Sequence, residues 1–272
     1  RISPKIDKTF YVSTPIYYVN ASPHIGHVYT TLVADALAKY HDVKGEKTFF
    51  QTGTDEHGQK IALAAEAKGI STMDFTTEVS NEFKTCMSDM KFSYDRFIRT
   101  TDKDHEANVT EIWKKLEDNG DIFLGTYEGW YCVSDEAYLT DLNVEDGLDR
   151  QGQPAKLSKE SGHPCTWMVE DNYKFKLSSF QDRLLDWYKS NPGCIVPEFR
   201  RREVMNFVAG GLLDLSISRS KEKCTWGIPI PGNDDHVMYV WLDALSNYVT
   251  GARSGKEGVP LPLDLEELQR WP

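Results

Sequence analysis

His24 and His27, separated by Ile25 and Gly26, are the residues whose types and spacing point most directly to chemistry. Lying three apart, they share one face of a first helical turn if a helix begins there. An imidazole N–H at such a place can donate to a phosphoryl oxygen. A helix N-terminus also presents free backbone N–H groups and partial positive charge to an anion. Gly26 has no side chain, so a flat ligand can lie close to the backbone. The expectation is a nucleotide cradle. Histidines at a helix start also serve as plain polar caps, and the spacing alone leaves both roles open.

The surrounding chain has elements to hold such a cradle. Phe10 and Val12 alternate with polar neighbours, so a strand is expected that ends at Thr14-Pro15. Pro23 suits the first turn of a helix, expected over about Ile25 to His41. A short strand Thr48–Gln51 follows, then a loop Gly53–Gly58 and a helix through Ile61 and Ala64 that stops near Gly69. Further helices are expected over Met73–Met90 and from Thr101, which with Asp104 reads as a capping box, to Asn119-Gly120. Arg96–Arg99 reads as a strand. Strands alternating with helices of this length imply right-handed βαβ units and a parallel sheet. From about Leu124 to Cys194 the chain turns rich in Gly, Asp and aromatics, with turn signals at Asp146-Gly147 and Gln151–Pro154, which reads as an inserted module. Helices return at about Ser178–Ser190 and Pro197–Val208. Asp214–Ser218 and Trp226–Pro229 are expected to lead back to the sheet, Asp235–Val240 to be a strand, and Trp241–Tyr248 to open a helix.

Composition narrows the function classes. The net charge of −11 over 272 residues argues against a whole-surface nucleic-acid binder, whose affinity would come from neutralising phosphates. Arg200-Arg201-Arg202 is the only dense basic run, and a solvated helix face is its expected role. No apolar run approaches the roughly 20 residues of a membrane helix, so no membrane partner is expected. The five cysteines are widely spaced without a C-x-x-C pair, which suits a reducing compartment; a cytoplasmic place is expected, with an organellar pool left open. The chain opens at Arg1 rather than Met, with no signal-peptide pattern at its start.

The tract His24-Ile25-Gly26-His27 resembles the HIGH signature of class I aminoacyl-tRNA synthetases letter for letter, and Pro15-Ile16-Tyr17-Tyr18-Val19-Asn20 resembles the substrate-lining lead-in of the methionyl-tRNA synthetase family. Gly53-Thr54-Asp55-Glu56-His57-Gly58, Trp226-Gly227-Ile228-Pro229 and Trp241-Leu242-Asp243-Ala244 resemble further motifs of that family, in order along the chain. The resemblance implies an α/β fold: a Rossmann-like parallel sheet that binds nucleotide, with an inserted connective-peptide module. The expected divisions are 1–124, 125–210 for the insertion, and 211–272 for the return.

Methionine carries an unbranched, polarizable thioether, so a selective pocket offers aromatic and small apolar walls. Ile16, Tyr18, Trp241, Ala244 and Tyr248 supply that chemistry if the strand ends converge. The last three are spaced three and four apart, hence on one helix face, a spacing that equally suits core packing. The resemblance adds Pro15 and His57 to the methionine group, and assigns Tyr18, Asn20, His24, Gly26 and His27 to ATP. The substrate ammonium needs a carboxylate. Asp55 is the candidate, and its competing role is to cap the helix that begins near Gly58. The implied reaction has methionine's carboxylate attack the α-phosphate of ATP, leaving methionyl-adenylate, which tRNA(Met) then captures. His24 and His27 would be the catalytic donors, with Mg²⁺ bridging the triphosphate.

Two departures qualify the resemblance. Relatives often carry a zinc knuckle, but here the first pair reads Cys132-Val133-Ser134-Asp135 and the second cluster Leu148-Asp149-Arg150-Gln151. One thiolate is left where about four ligands are needed, so zinc is not expected. The chain also reaches Trp271-Pro272 without the lysine-rich KMSKS-type loop or the helical anticodon-binding domain, so a remaining C-terminal part of the same synthetase is an expected partner. Ser254-Gly255-Lys256-Glu257-Gly258 has the wrong spacing for a P-loop. The alternatives are a small-molecule adenylyltransferase and a non-catalytic binding or regulatory module derived from a synthetase.

Overall fold

The computed structural model describes residues 9–254 apart from Glu136 and Arg150. Arg1, the stretch from Gly255 to Gly258 and Trp271-Pro272 lie outside the described residues. The chain divides into two compact units, one formed by residues up to 118 and from 221 onward, the other by 119–220.

The first unit begins with β1 (Phe10–Ser13), β2 (Tyr17–Tyr18), α1 (Ile25–Val43), β3 (Thr48–Asp55), α2 (Gln59–Lys68), α3 (Thr72–Asp89), β4 (Arg96–Arg99) and α4 (Lys103–Asp118). The three strands around β3 run parallel to it. Gln51 pairs with Ser13 of β1 and with Arg96 of β4, so these flank it on opposite sides. β2 continues β1 along one edge, with Tyr17 opposite Thr54 and Tyr18 opposite Asp55. Phe49 to Asp55 are all buried, as a strand covered on both faces requires. β3 is therefore longer than the expected Thr48–Gln51: Gly53, Thr54 and Asp55, expected in a loop, find ladder partners on β2 and β4. A Cβ at Gly53 would sit 2.0 Å from the Ile98 carbonyl oxygen, so this close strand approach requires glycine.

Helix ends follow local rules with two corrections. α2 stops at Gly69 in the left-handed conformation, and Ser71 caps α3 by accepting from the Asp74 amide. Pro23 lies before the α1 cap, outside the helix. Thr101 does not cap α4; its hydroxyl donates to the Glu56 carboxylate at 2.6 Å instead. On one face of β3, Phe50 packs with Ala34 and Ala38 of α1. Phe75, Val79, Phe83 and Met87 of α3 enclose Tyr17, Val19, Ile61 and Ala65 in a separate core, where each buried phenylalanine contributes roughly 1.5–3 kcal/mol. Ile25, Tyr29, Leu32, Tyr40 and Val43 of α1 remain exposed.

The second unit holds β5 (Ile122–Cys132), β6 (Ala137–Leu139), β7 (Val144–Leu148), β8 (Pro154–Ser158), β9 (Pro164–Phe175), α5 (Gln181–Ser190), α6 (Glu198–Ala209), β10 (Leu215–Ser216) and β11 (Ser218–Ser220). Its sheet is antiparallel in the order β6-β5-β9-β8-β7, with β10 also on β9. The β5–β9 ladder runs from Ile122 opposite Phe175 to Cys132 opposite Cys165. Asp214–Ser218, expected to lead back to the parallel sheet, instead adds Leu215 and Ser216 to β9. On α6, Arg200 and Arg201 pair with Glu203 and Glu198, as a solvated face would.

The first unit resumes with β12 (Pro229–Ile230), β13 (Asn233–Met238), α7 (Val240–Leu245) and α8 (Asn247–Ser254). β12 and β13 pair antiparallel around Gly232, at φ 76°, so the segment expected to rejoin the parallel sheet forms a hairpin. The helix expected from Trp241 through Tyr248 is divided at Ser246, the α7 C-cap. Gln51 donates to the Asn247 carbonyl at 3.1 Å. Adjacent strand residues point to opposite faces, so α8 covers the face of β3 opposite α1. Helices on both faces of a parallel sheet make the doubly wound arrangement that the sequence implied.

Candidate functional site

The two histidines cap α1 reciprocally. His24 is the N-cap in extended backbone, and its Nδ1 accepts the Gly26 amide at 3.1 Å. The Nδ1 of His27, at the third helical position, accepts the His24 amide at 3.1 Å. The rings stack with centroids 3.7 Å apart. Burial and the neighbouring His24 ring lower the His27 pKa, which favours the uncharged ring this bond requires. With each Nδ1 acting as acceptor, the proton of each neutral ring sits on Nε2. The cap and the cradle are thus compatible, but the donors differ from the expected ones. The Gly26 amide is used by His24, and the His27 amide bonds the His24 carbonyl at 3.0 Å. The imidazole Nε2–H groups, rather than these backbone amides, are the donors left to an anion. Gly26 is needed close by: a Cβ there would lie 2.9 Å from His24 Cε1. Tyr17 ties this turn to the sheet, its hydroxyl 2.7 Å from Thr31 and 3.3 Å from the His27 carbonyl.

At the C-terminal end of β3, Asp55 is buried, and its carbonyl accepts the Val19 amide at 3.2 Å. Gly58, three residues later, is the N-cap of α2, at φ 127° and without a side-chain cap. Glu56, passed over in the sequence, is fully buried in a clamp. Arg99 grips it through Nε at 2.7 Å and Nη2 at 2.9 Å, and Thr54 and Thr101 also donate to it. Bidentate, charge-assisted bonds of this kind fix a loop firmly. Trp226 braces the same loop by donating from Nε1 to the Glu56 carbonyl at 2.5 Å.

His57 reaches a different element. Its Nδ1 lies 2.7 Å from Asp243 Oδ2, and Asp243 Oδ1 lies 2.9 Å from His105 Nε2. Burial alone would push the Asp243 carboxyl up; the His57 charge and the bonds from His105 and His57 overcome this and hold it at about 2. α7, which carries exposed Trp241 and half-buried Ala244, is thereby tied to the end of β3. Tyr248 lies beyond the break, on α8, with its carbonyl 3.5 Å from the Tyr11 hydroxyl of β1. Tyr18 and Asp55 are ladder partners, Ile16 is half-buried beside them in sequence, and Pro15 and Asn20 are exposed. The structure therefore joins Tyr18 to Asp55, His24 to His27, and His57 to the Trp241 helix.

Residues 10–260 match the family model described as tRNA synthetases class I (M). The chain belongs to the class I methionyl-tRNA synthetase family. A methionine–tRNA ligase of Rickettsia conorii is 46% identical over 90% of this chain and 46% of its own length. That of Thermotoga maritima is 44% identical over 90% of this chain and 38% of its own. Among solved structures, a Mycobacterium tuberculosis methionyl-tRNA synthetase bound by methionyl-adenylate superposes with a TM-score of 0.82 at 45% identity, covering 90% of this chain and 47% of that one. The likeness extends to the class I Rossmann-type fold. The chain spans less than half the length of these relatives.

For a methionyl-tRNA synthetase, the inserted unit raises the question of a zinc knuckle. Cys132 and Cys165 face each other across β5 and β9 as one pair of buried thiols, where a structural zinc takes about four ligands. Asp149 is engaged by the Gln151 and Gln153 amides at 2.8 Å each, closing a turn. Among the described residues, no three His, Cys, Asp or Glu side chains are grouped to hold a metal ion. The described side chains here, two buried thiols and a carboxylate spent on a turn, do not make the set of about four ligands that zinc takes.

Proposed function

We propose that this chain is the methionine-activating part of a methionine–tRNA ligase, which joins methionine to ATP as methionyl-adenylate and passes it to tRNA(Met) for translation. The observation that carries the reading is the reciprocal cap of α1, which leaves two Nε2–H donors at the turn next to the strand ends. Methionine's carboxylate attacks the α-phosphorus, the bond to the β-phosphate oxygen breaks, and pyrophosphate leaves. His24 and His27 donate to the oxygens on which charge builds, the kind of fixed donor that contributes most to such reactions. Tyr18, Asn20 and Gly26 complete the ATP surface, and Mg²⁺ would neutralise the triphosphate.

The amino acid lies at the end of β3. Asp55, a strand-end residue ahead of a helix that has no side-chain cap, takes the substrate ammonium. Pro15, Ile16, Tyr18, Trp241, Ala244 and Tyr248 supply the thioether's surroundings, with His57 beneath. The mycobacterial relatives solved with methionyl-adenylate support this choice of substrates. The remainder of the longer protein supplies the tRNA contacts, and the cytoplasm is its proposed place. No described helix is long and apolar enough to cross a membrane. ATP–pyrophosphate exchange by the native full-length chain tests the reading: exchange that requires methionine supports it, and its absence refutes it.

A further inference from the structure

His57, Asp243 and His105 come from the loop after β3, from α7 and from α4, yet they form one file that runs inward from partly buried His57 to fully buried His105. His105 is fully buried and Asp243 is 1% exposed. Each oxygen of Asp243 meets a ring nitrogen, His57 Nδ1 on Oδ2 and His105 Nε2 on Oδ1. A carboxylate gripped at both oxygens cannot turn about its own bond. Held by His57 alone, it would leave one oxygen without its ring-nitrogen partner in the interior, where an unmade hydrogen bond is costly.

The far end of the file fixes His105 in turn. His105 Nδ1 lies 3.1 Å from the Thr250 hydroxyl. With Nε2 on Asp243, Nδ1 of the ring meets the Thr250 hydroxyl, which also reaches the Ser246 carbonyl at 3.1 Å. Asn108 sets the Thr250 oxygen by donating to it at 2.7 Å. His57 contacts Asp243 of α7 and the Trp226 ring, and the carboxylates of Asp55 on β3 and Glu106 on α4 act on it through charge. His57 follows Asp55 by two residues at the end of β3, so the file that holds its ring also sets the short segment that carries Asp55.

We infer that His105 is a positioning residue for the amino-acid end of the site: by locking Asp243 it fixes His57 beside Asp55. The inference rests on the reading of Asp55 as the ammonium's partner. His105 touches neither substrate. It acts through two intervening side chains, so its loss should change methionine use far more than ATP use.

The test is methionine-dependent exchange by the full-length chain. His105→Phe removes both ring nitrogens at similar volume, His105→Gln keeps a donor near the Nε2 position, and Thr250→Val removes the hydroxyl that joins the far end of the ring to Asn108. His105→Phe should raise methionine KM about tenfold, the scale of one lost interaction, with ATP KM unchanged and most of the loss recovered in His105→Gln. Thr250→Val should raise methionine KM by about threefold, less than one such interaction. If His105→Phe fails to fold, Thr250→Val decides. Wild-type methionine KM in the folded variants, or equal losses for methionine and ATP, would overturn the inference. Lack of exchange in the wild type would instead defeat the functional reading beneath it.

Discussion

The Nδ1 of His27 accepts the backbone amide of His24 at 3.1 Å, so one residue of the pair sets both the helix start and the tautomer of its own ring. Capping and phosphate binding therefore use different nitrogens of the same imidazoles. His24→Asn separates them, because asparagine caps about as well as the best residues but has no donor at the Nε2 position. Its melting temperature should stay near wild type, while exchange should fall by about 10²-fold, the usual cost of one lost charge-stabilising donor. Methionine binding without ATP should be unaffected. Near-normal exchange would show that His24 is only a cap.

The buried His57–Asp243 pair predicts a pH signature. Burial tends to lower the His57 pKa, but the charge and hydrogen bond of Asp243, with Asp55 and Glu106, outweigh it and raise the value. Stability from a raised histidine is fully present below about pH 6.5, its unfolded value, and is lost as pH rises through the folded value. Asp243 runs the other way: its contribution is present above about pH 3.9, its unfolded value. That contribution is lost as pH falls through about 2. In Asp243→Asn the His57 ring should titrate lower than in wild type when followed by NMR. An unmoved midpoint would contradict the pairing.

How much of this was legible in the sequence depends on the reach of each interaction. The cap of α1, the stop of α2 at Gly69 and the turn at Gly152 are local, and residue type with spacing reveals them; Asp146-Gly147, expected as a turn, instead lies inside β7 opposite Lys156 and Ala155, a pairing that only the partner strand makes visible. The clamp on Glu56 joins positions 43 apart, and the His57–Asp243 bond joins positions 186 apart. No periodicity records such pairings. The length of β3 was missed for the same reason: Gly53 and Thr54 look like loop residues until β4 supplies Ile98 and Arg99 as partners. Trp241, Ala244 and Tyr248 matched one helical spacing, but the break at Ser246 became visible only in the backbone.

The inserted unit should fold without metal. Cys132 and Cys165 are free thiols, and Cys165 is held protonated far above neutral pH. Elemental analysis should find substoichiometric zinc, and chelators should leave the melting temperature in place, because a structural zinc contributes directly to folding. One tightly bound zinc per chain would refute this.

The most direct test of the account is the methionine KM of Asp55→Asn in ATP–pyrophosphate exchange by the full-length chain. Asp55 is buried at the end of β3, and α2 starts beyond it with Gly58 as its cap. If Asp55 takes the substrate ammonium, removing its charge should weaken methionine use at least tenfold, about 1.4 kcal/mol, while ATP KM and melting temperature hardly move. An unchanged methionine KM and kcat in this variant would contradict the account and place the amino acid elsewhere.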